Sequence, residues 1–308
     1  MRIVFMGTPD FAVPSLEALL EKHEVVLVVT QPDKPKGRGK KMVFSPVKEC
    51  AFSHNIPVLQ PEKVRDSAFI EELRTYAPDL IAVAAFGQIL TEPILEMPKY
   101  GCINVHGSLL PKYRGAAPMQ WAIIDGEKMT GITTMYMAKG LDSGDMLLKG
   151  EVEIAPTDTF REVHDKMAET GAKLLLETLD GLEKGTITRV EQNHEEATYA
   201  PMITKETGHI DWSKNRADII NLMRGLDPAP AAYTEYEGEV LKLFWAEKTE
   251  ETKDVPCGTI ISVTKKGFTV ACGDGAIFVK ELQARGGKRM SADAYLRGHE
   301  IKEGILLQ

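Results

Sequence analysis

The sequence lacks most of the features that would assign a chain to a membrane, a redox couple or a metal centre. No stretch approaches the ~18 consecutive apolar residues of a membrane-spanning helix. The opening residues, Met1-Arg-Ile-Val-Phe-Met-Gly-Thr8, read as a short strand and have no signal-peptide layout. The four cysteines, Cys50, Cys102, Cys257 and Cys272, include no C-x-x-C pair. That speaks against a zinc site and for free thiols in a reducing cytoplasm. His23, His54, His194, His209 and His299 are scattered, with no metal-ligand cluster. The first turn, Gly7-Thr-Pro-Asp10, is not the G-x-G-x-x-G of a dinucleotide site, and Ser108 lacks the G-x-S-x-G frame of a serine nucleophile. An excess of positive charge is missing too. With a net charge of −8, binding of nucleic acid must use a local basic patch. No internal repeat or low-complexity tract is evident.

What is present is an ordinary globular composition, 43% hydrophobic and 27% charged over 308 residues, a length that suggests about two domains. Strands are expected at 2–8, 24–30, 56–59 and 79–85, and helices at 11–20, 45–54 and 64–76. Nearly all-apolar strands alternating with helices imply a doubly wound, mainly parallel α/β sheet of Rossmann-like type. Gln31 to Lys41 holds Pro32, Pro35, Gly37 and Gly39 and is expected to be irregular. Strands at 131–137 and 145–154 bracket a loop at 138–144. Thr159-x-x-Glu162 is a capping box opening a helix to about Glu183, with His164 on it as a structural residue. Residues 190–206 read as a linker. Beyond it, Ser213 is expected to cap a helix through Leu226. Short β-like runs at 232–236, 240–245, 259–263, 268–271 and 276–280 suggest a small OB-like β-barrel. The expected division is thus 1–189 catalytic, 190–206 linker and 207–308 barrel.

The chemistry concentrates in Cys102-Ile-Asn-Val-His-Gly-Ser-Leu-Leu-Pro111. Its first half reads as a strand, so Asn104 and His106 share a face. They sit at the carboxyl end, where α/β sheets bind ligands. Asn104 can donate to a developing oxyanion, and His106 can move a proton near neutral pH. Gly107 ends the strand, and Lys112-Tyr-Arg-Gly115 leads into a helix from about Ala116. The turn Phe86-Gly-Gln-Ile-Leu90 ends a neighbouring strand and can line the same crevice. Asp142, at the tip of the Gly-flanked loop, can bend back toward His106. Lys34, Lys36, Arg38, Lys40 and Lys41 face only one acid, Asp33, and form a basic island suited to phosphates. Arg285, Lys288, Arg289 and Arg297 form a second basic cluster, either a solvated face or a nucleic-acid face.

The Asn104-Val-His-Gly-Ser-Leu-Leu-Pro111 block, with Asp142 downstream, resembles the folate-dependent formyltransferases. Further matching segments, among them Phe5 to Phe11 and Ile210-Asp-Trp212, extend the resemblance over nearly the whole chain. The Gly37-Arg-Gly-Lys-Lys41 stretch with Ser45-Pro-Val-Lys48 resembles the branch whose acceptor is initiator methionyl-tRNA. The resemblance implies formyl transfer from 10-formyltetrahydrofolate to the α-amino group of the tRNA-borne methionine, in the cytoplasm, without a metal or an obligate protein partner. It implies catalytic roles for Asn104, His106 and Asp142. Folate contacts are implied for Ser108, Leu109, Leu110 and Pro111 and for Phe86, Gly87, Gln88 and Ile89. In the same way Arg38, flanked by Lys34, Lys36, Lys40 and Lys41, is implied to enter the tRNA acceptor end, and the carboxyl domain to contact the inside of the tRNA. One departure is Asp227-Pro-Ala-Pro230, where the family often carries Pro-Trp. Two rival readings are a formyltransferase acting on a nucleotide-linked amino sugar, which leaves the basic island unexplained, and a non-catalytic tRNA-binding protein, which leaves Asn104, His106 and Asp142 unexplained. Glycinamide ribonucleotide formyltransferases share the chemistry but are shorter.

Overall fold

A computed structural model describes residues 1–36 and 41–308, leaving aside the side chains of Lys36 and Lys41. The chain divides into two compact units. The first holds Met1–Gly115, Met129–Glu153 and His164–Ala200; the second holds Ala116–Lys128, Ile154–Val163 and Pro201–Gln308.

The first unit is built on a seven-stranded sheet. In chain order its strands are β1 (Arg2–Gly7), β2 (Glu24–Val29), β3 (Val58–Leu59), β4 (Leu80–Ala84), β5 (Cys102–His106), β6 (Met129–Tyr136) and β7 (Met146–Glu153). They lie in the order β7-β6-β5-β4-β1-β2-β3. The five strands from β3 to β5 run parallel, and β6 and β7 add an antiparallel edge. The Val-, Ile- and Leu-rich sequences of β1, β2 and β4 leave Ile3, Val4, Phe5, Leu27, Val28, Leu80 and Ile81 fully buried, as expected of strands covered on both faces. The chain leaves β1 toward β2 on one side and returns to β4 on the other. The switch point between β1 and β4, where Gly7 pairs with Ala84, therefore opens the crevice beside β5.

Several local expectations need correction. The segment expected to be irregular around Pro35 is in part a two-stranded antiparallel ribbon, with Lys34–Lys36 pairing Lys41–Val43. A ribbon this narrow leaves one side of each strand unpaired, so Pro35 can sit in it without breaking a ladder. The helix expected from Val64 begins at Ser67, because residues 63–66 form a turn, closed by the Asp66 N–H on the Lys63 carbonyl at 3.2 Å, and Asp66 is extended (ψ 130°) at the cap position. Helix Pro46–Ser53 starts one residue later than the expected 45, because Ser45 is its cap and accepts from the Lys48 N–H at 3.1 Å. The capping box forms in part: Glu162 accepts from the Thr159 N–H at 2.8 Å, the Thr159 hydroxyl accepts from the Arg161 N–H at 3.3 Å, and helix Phe160–Lys184 follows.

In the second unit, the helix near Ala116 starts at Pro118 and runs to Ile124. Helix Arg216–Leu226 is capped by Asn215, which accepts from the Asp218 N–H at 2.9 Å. Ser213 instead donates to Asp211 at 2.6 Å in the preceding turn, so it does not serve as the cap. The sheet comprises β8 (Ala232–Tyr236), β9 (Glu239–Thr249), β10 (Ile260–Thr264), β11 (Gly267–Cys272), β12 (Gly275–Ala284) and β13 (Met290–Ser291). All pair antiparallel, in the order β8-β9-β12-β11-β10, with β13 beside β12. The turns between successive strands fall at Glu237-Gly238, Lys265-Lys266 and Gly273-Asp274. Leu243, Phe268, Val270, Ile277, Val279 and Leu282 form its buried core with Ile219 and Met223 of the helix. Residues 304–308 lace its two outer strands: Gln308 exchanges hydrogen bonds with Glu235 of β8, and Ile305 accepts from Ile260 of β10. Among the described residues no helix is long and apolar enough to cross a membrane.

Candidate active site

The site starts from the register of β5. Asn104 pairs with Val83 and Met135, and His106 with Thr133, so the two polar side chains leave the same face one pleat apart. Asn104 is half-buried, and among the described residues its amide makes no hydrogen bond. It is a donor available to a ligand. His106 is buried. Its Nε2 lies 3.0 Å from the Tyr113 carbonyl, which can only accept, so Nε2 carries a proton. Its Nδ1 faces Asp142 Oδ2 at 3.6 Å, within ion-pair range. Asp142 Oδ2 in turn accepts from the Gly115 N–H at 2.9 Å. The Asp142 loop thus does fold back onto the β5 strand end. Cys102, on the same strand, is no nucleophile, since burial pushes its thiol up to about 12.

The 107–113 loop is sewn in place by buried polar groups. Ser108 is fully buried and donates to the Lys112 carbonyl at 2.6 Å, so its hydroxyl shapes the loop. Thr133 Oγ1, across from His106, donates to the Ser108 carbonyl at 2.7 Å and accepts from the Leu110 N–H at 3.0 Å. Lys149 reaches the Leu110 carbonyl. Leu110 is buried with Met135 and Met146, whereas Leu109 and Pro111 keep partly accessible surface.

The 86–90 turn is built the same way. Thr8 and Gln31 both donate to the Phe86 carbonyl, at 3.2 and 3.1 Å. Phe86 is in the core, and Gln88 is occupied with the Pro61 carbonyl and the Val64 N–H. Gly87, at φ +84°, and Ile89, 78% exposed, are the positions that present surface. Gly87 suits a conformation that costs a side-chain-bearing residue energy.

Of the basic island, Lys34 is exposed on the ribbon. Arg38 and Lys40 lie outside the described residues. The ribbon's base is anchored by Asp33, which accepts from Lys48 Nζ and from Gln60 at 2.9 Å. Lys48 is buried and also donates to Gln60 at 2.6 Å. Hydrogen bonds from Lys48, then Gln60, hold the Asp33 carboxyl below its ordinary value. A depressed carboxyl contributes stability that is present above the ordinary aspartate value of about 3.9 and is lost as pH falls through the depressed one. The advantage of the parent protein over Asp33→Asn in thermal midpoint is therefore expected to persist from pH 6 down to about 4 and to shrink below it. An advantage that grows on acidification would contradict the anchor.

The second basic cluster is largely neutralised. Arg285 pairs with Glu239 at 2.8 Å, Arg289 with Asp227 at 2.6 Å and Glu281 at 2.7 Å, and Arg297 with Asp293 at 3.2 Å. Among the described residues no group of three or more His, Cys, Asp or Glu side chains could hold a metal ion.

Sequence reasoning missed Gln192, in the polar segment 190–206. It is 3% exposed, receives Arg114 and donates to the Asp142 and Gly144 carbonyls at 2.8 and 2.7 Å. A single Gln in a stretch without periodicity gives no signal of burial. Thr133, hidden in an apolar strand, was missed for the same reason.

Residues 1–179 match the family model described as formyl transferase, and residues 202–300 match the one described as formyl transferase, C-terminal domain. The chain is 54% identical to a methionyl-tRNA formyltransferase of Acetivibrio thermocellus, over 100% of this chain and 99% of that protein. It is 53% identical to that of Clostridioides difficile, over the whole of both chains. Among solved structures, it resembles an N-formyltransferase from Helicobacter canadensis in complex with folinic acid and dTDP-3-aminofucose (TM-score 0.66, 20% identity, covering 94% of this chain and 100% of that one). It also resembles HypX from Aquifex aeolicus in complex with tetrahydrofolic acid (TM-score 0.65, 18% identity, covering 99% of this chain and 50% of that one).

Proposed function

We infer that this chain, which belongs to the formyl transferase family, transfers a formyl group from 10-formyltetrahydrofolate to the α-amino group of methionine on initiator methionyl-tRNA. The product is the N-formylmethionyl-tRNA used to start translation. The observation that carries this reading is the end-to-end identity of 54% with a methionyl-tRNA formyltransferase. Cytoplasmic location goes with the reading, because translation takes place there. The division into a catalytic part at 1–189, a linking segment at 190–206 and a tRNA-contacting part at 207–308 is likewise our proposal.

The mechanism follows from the groups at the end of β5. The amine nitrogen attacks the formyl carbon, forming the new C–N bond and placing the carbonyl electron pair on oxygen. Asn104, whose amide has no other partner among the described residues, is the donor for that oxygen. Collapse then breaks the bond to the folate nitrogen, which leaves with the electron pair and takes up a proton, while the attacking amine gives one up. His106 moves the proton, and Asp142 Oδ2, 3.6 Å from its Nδ1, orients the ring and offsets charge on it. A free α-amino group has a reference pKa of about 7.7–8.0, and esterification of the adjacent carboxyl lowers it, so the nucleophile needs positioning more than a strong base.

The folate donor is proposed to lie along Phe86–Ile89 and Ser108–Pro111. Gly87, Ile89, Leu109 and Pro111 offer it accessible surface, and the buried Phe86 and Leu110 shape the turns beneath. Lys34, Lys36, Arg38, Lys40 and Lys41 are the proposed contacts to the acceptor end of the tRNA, with lysines neutralising phosphates. The test is formyl transfer from 10-formyltetrahydrofolate to methionyl initiator tRNA or to a nucleotide-linked amino sugar, with Arg38→Ala alongside. Transfer to the tRNA alone, with its KM raised in Arg38→Ala, is the expected result. Transfer to the sugar would keep the chemistry and overturn the acceptor.

A further inference from the structure

Asp142 is an awkward residue to hold still. It sits at φ +45°, in the left-handed region that few residues with a side chain adopt. Its neighbours Gly140, Ser143 and Gly144 are small and bring little apolar side chain to pack the loop down. Its carboxylate is fixed by the Gly115 N–H, but its backbone is fixed by one distant side chain. Gln192 Nε2 donates to both the Asp142 and the Gly144 carbonyls, at 2.8 and 2.7 Å. Gln192 Oε1 accepts from Arg114 Nε at 3.0 Å and Nη2 at 2.6 Å. Arg114 Nη2 also meets His194 Nδ1 at 3.0 Å.

This arrangement admits one amide orientation. Both partners of Nε2 are carbonyls, which only accept, and both partners of Oε1 are guanidinium N–H groups, which only donate. Turning the amide over would oppose all four contacts. Both side chains are buried, Gln192 at 3% and Arg114 at 4% exposed, and no carboxylate pairs with Arg114 among the described residues. The guanidinium charge is thus spent on Gln192 Oε1, which strengthens the two bonds that the amide donates. Arg114 and Gly115 are consecutive, so the same two-residue strand grips Asp142 twice: through the Gly115 N–H directly and through the Arg114 side chain by way of Gln192.

We propose that Gln192, oriented by Arg114, is a positioning residue that holds the Asp142 loop so that its carboxylate faces His106. The proposal rests on the reading of Asp142 as a catalytic residue. Gln192→Glu keeps the size of the side chain and an acceptor for Arg114, but it sets an oxygen against two carbonyls. Its kcat for formylation of methionyl-tRNA is expected to fall on the order of 10²-fold, the effect of a misplacement of about 1 Å, with both KM values kept. A role confined to Asp142 makes the losses non-additive, so Asp142→Ala with Gln192→Glu is expected to turn over within about 2-fold of Asp142→Ala alone. If Gln192→Glu loses its thermal transition, Gln192→Asn, which retracts the same amide by one methylene, takes its place in the same cycle with the same expectation. An equal loss in both backgrounds, or an unchanged kcat in the parent background, overturns the proposal while the parent enzyme still formylates methionyl-tRNA. A parent enzyme that does not formylate it overturns the functional reading first.

Discussion

His106→Ala is expected to lower kcat by about 10²- to 10⁴-fold while leaving methionyl-tRNA binding intact. The ring closes the end of β5, between the Tyr113 carbonyl and Asp142, and its removal takes away the imidazole that faces Asp142 there. Attack by the amine must then release its proton to water. Since the interaction lost belongs to the transition state, kcat and kcat/KM are expected to fall together. The proposed tRNA contacts stand on a different segment, the ribbon beyond Asp33, so binding has no reason to follow. Single-turnover formylation and filter binding of methionyl-tRNA on the same preparation separate the two. Weakened binding with normal turnover would place His106 on the recognition surface and remove it from the chemistry.

The second large effect is expected at Asn104. Its amide is uncommitted among the described residues, at a position half-open to the crevice, and a preorganised donor to an oxyanion is worth about 10²- to 10³-fold in kcat. Asn104→Ala should show that loss with little change in KM for the folate donor, because the negative oxygen exists only as the reaction proceeds. Asn104→Asp is the sharper variant. It preserves shape but exchanges a donor for an acceptor and adds negative charge where negative charge develops, so it is expected to be slower than Asn104→Ala. An Asn104→Asp enzyme faster than Asn104→Ala would mean that the side chain acts through its oxygen, for instance by holding the incoming amine.

The sequence made the parallel sheet and the polar end of β5 legible, because both are written in local patterns. Apolar runs such as Leu80 to Ala84 mark buried strands, and the i, i+2 spacing of Asn104 and His106 places two polar groups on one pleated face. The Gly-flanked loop allowed Asp142 to return to that face, but only the resemblance singled it out, since a Gly-flanked aspartate is ordinary turn chemistry. What holds it there was not legible. Gln192 lies 50 positions away from Asp142 in a polar stretch, and its burial is decided by tertiary contacts with no local signature. The ribbon was misread because Pro35 argues against a strand only where both edges must be paired. The choice of Asn215 over Ser213 as helix cap was lost among neighbours with equal capping chemistry; Ser213 is drawn into the Asp211 turn.

The ribbon at Lys34–Lys36 and Lys41–Val43 bears on how such an enzyme can change its clientele. A lone pair of strands is marginal in water, and this one is tied down at its foot by Asp33, Lys48 and Gln60. It contributes no strand to the seven-stranded sheet, and Asn104, His106 and Asp142 make no hydrogen bond to it among the described residues. Lengthening or shortening it shifts no register in β5, whereas inserting one residue within β5 would turn Ile103 or Val105 into the crevice in place of Asn104 and His106. On the role proposed for the ribbon, chemistry and address are inherited separately: drift in the ribbon would retarget the formyl group over evolutionary time, while the transfer step itself is carried forward unchanged.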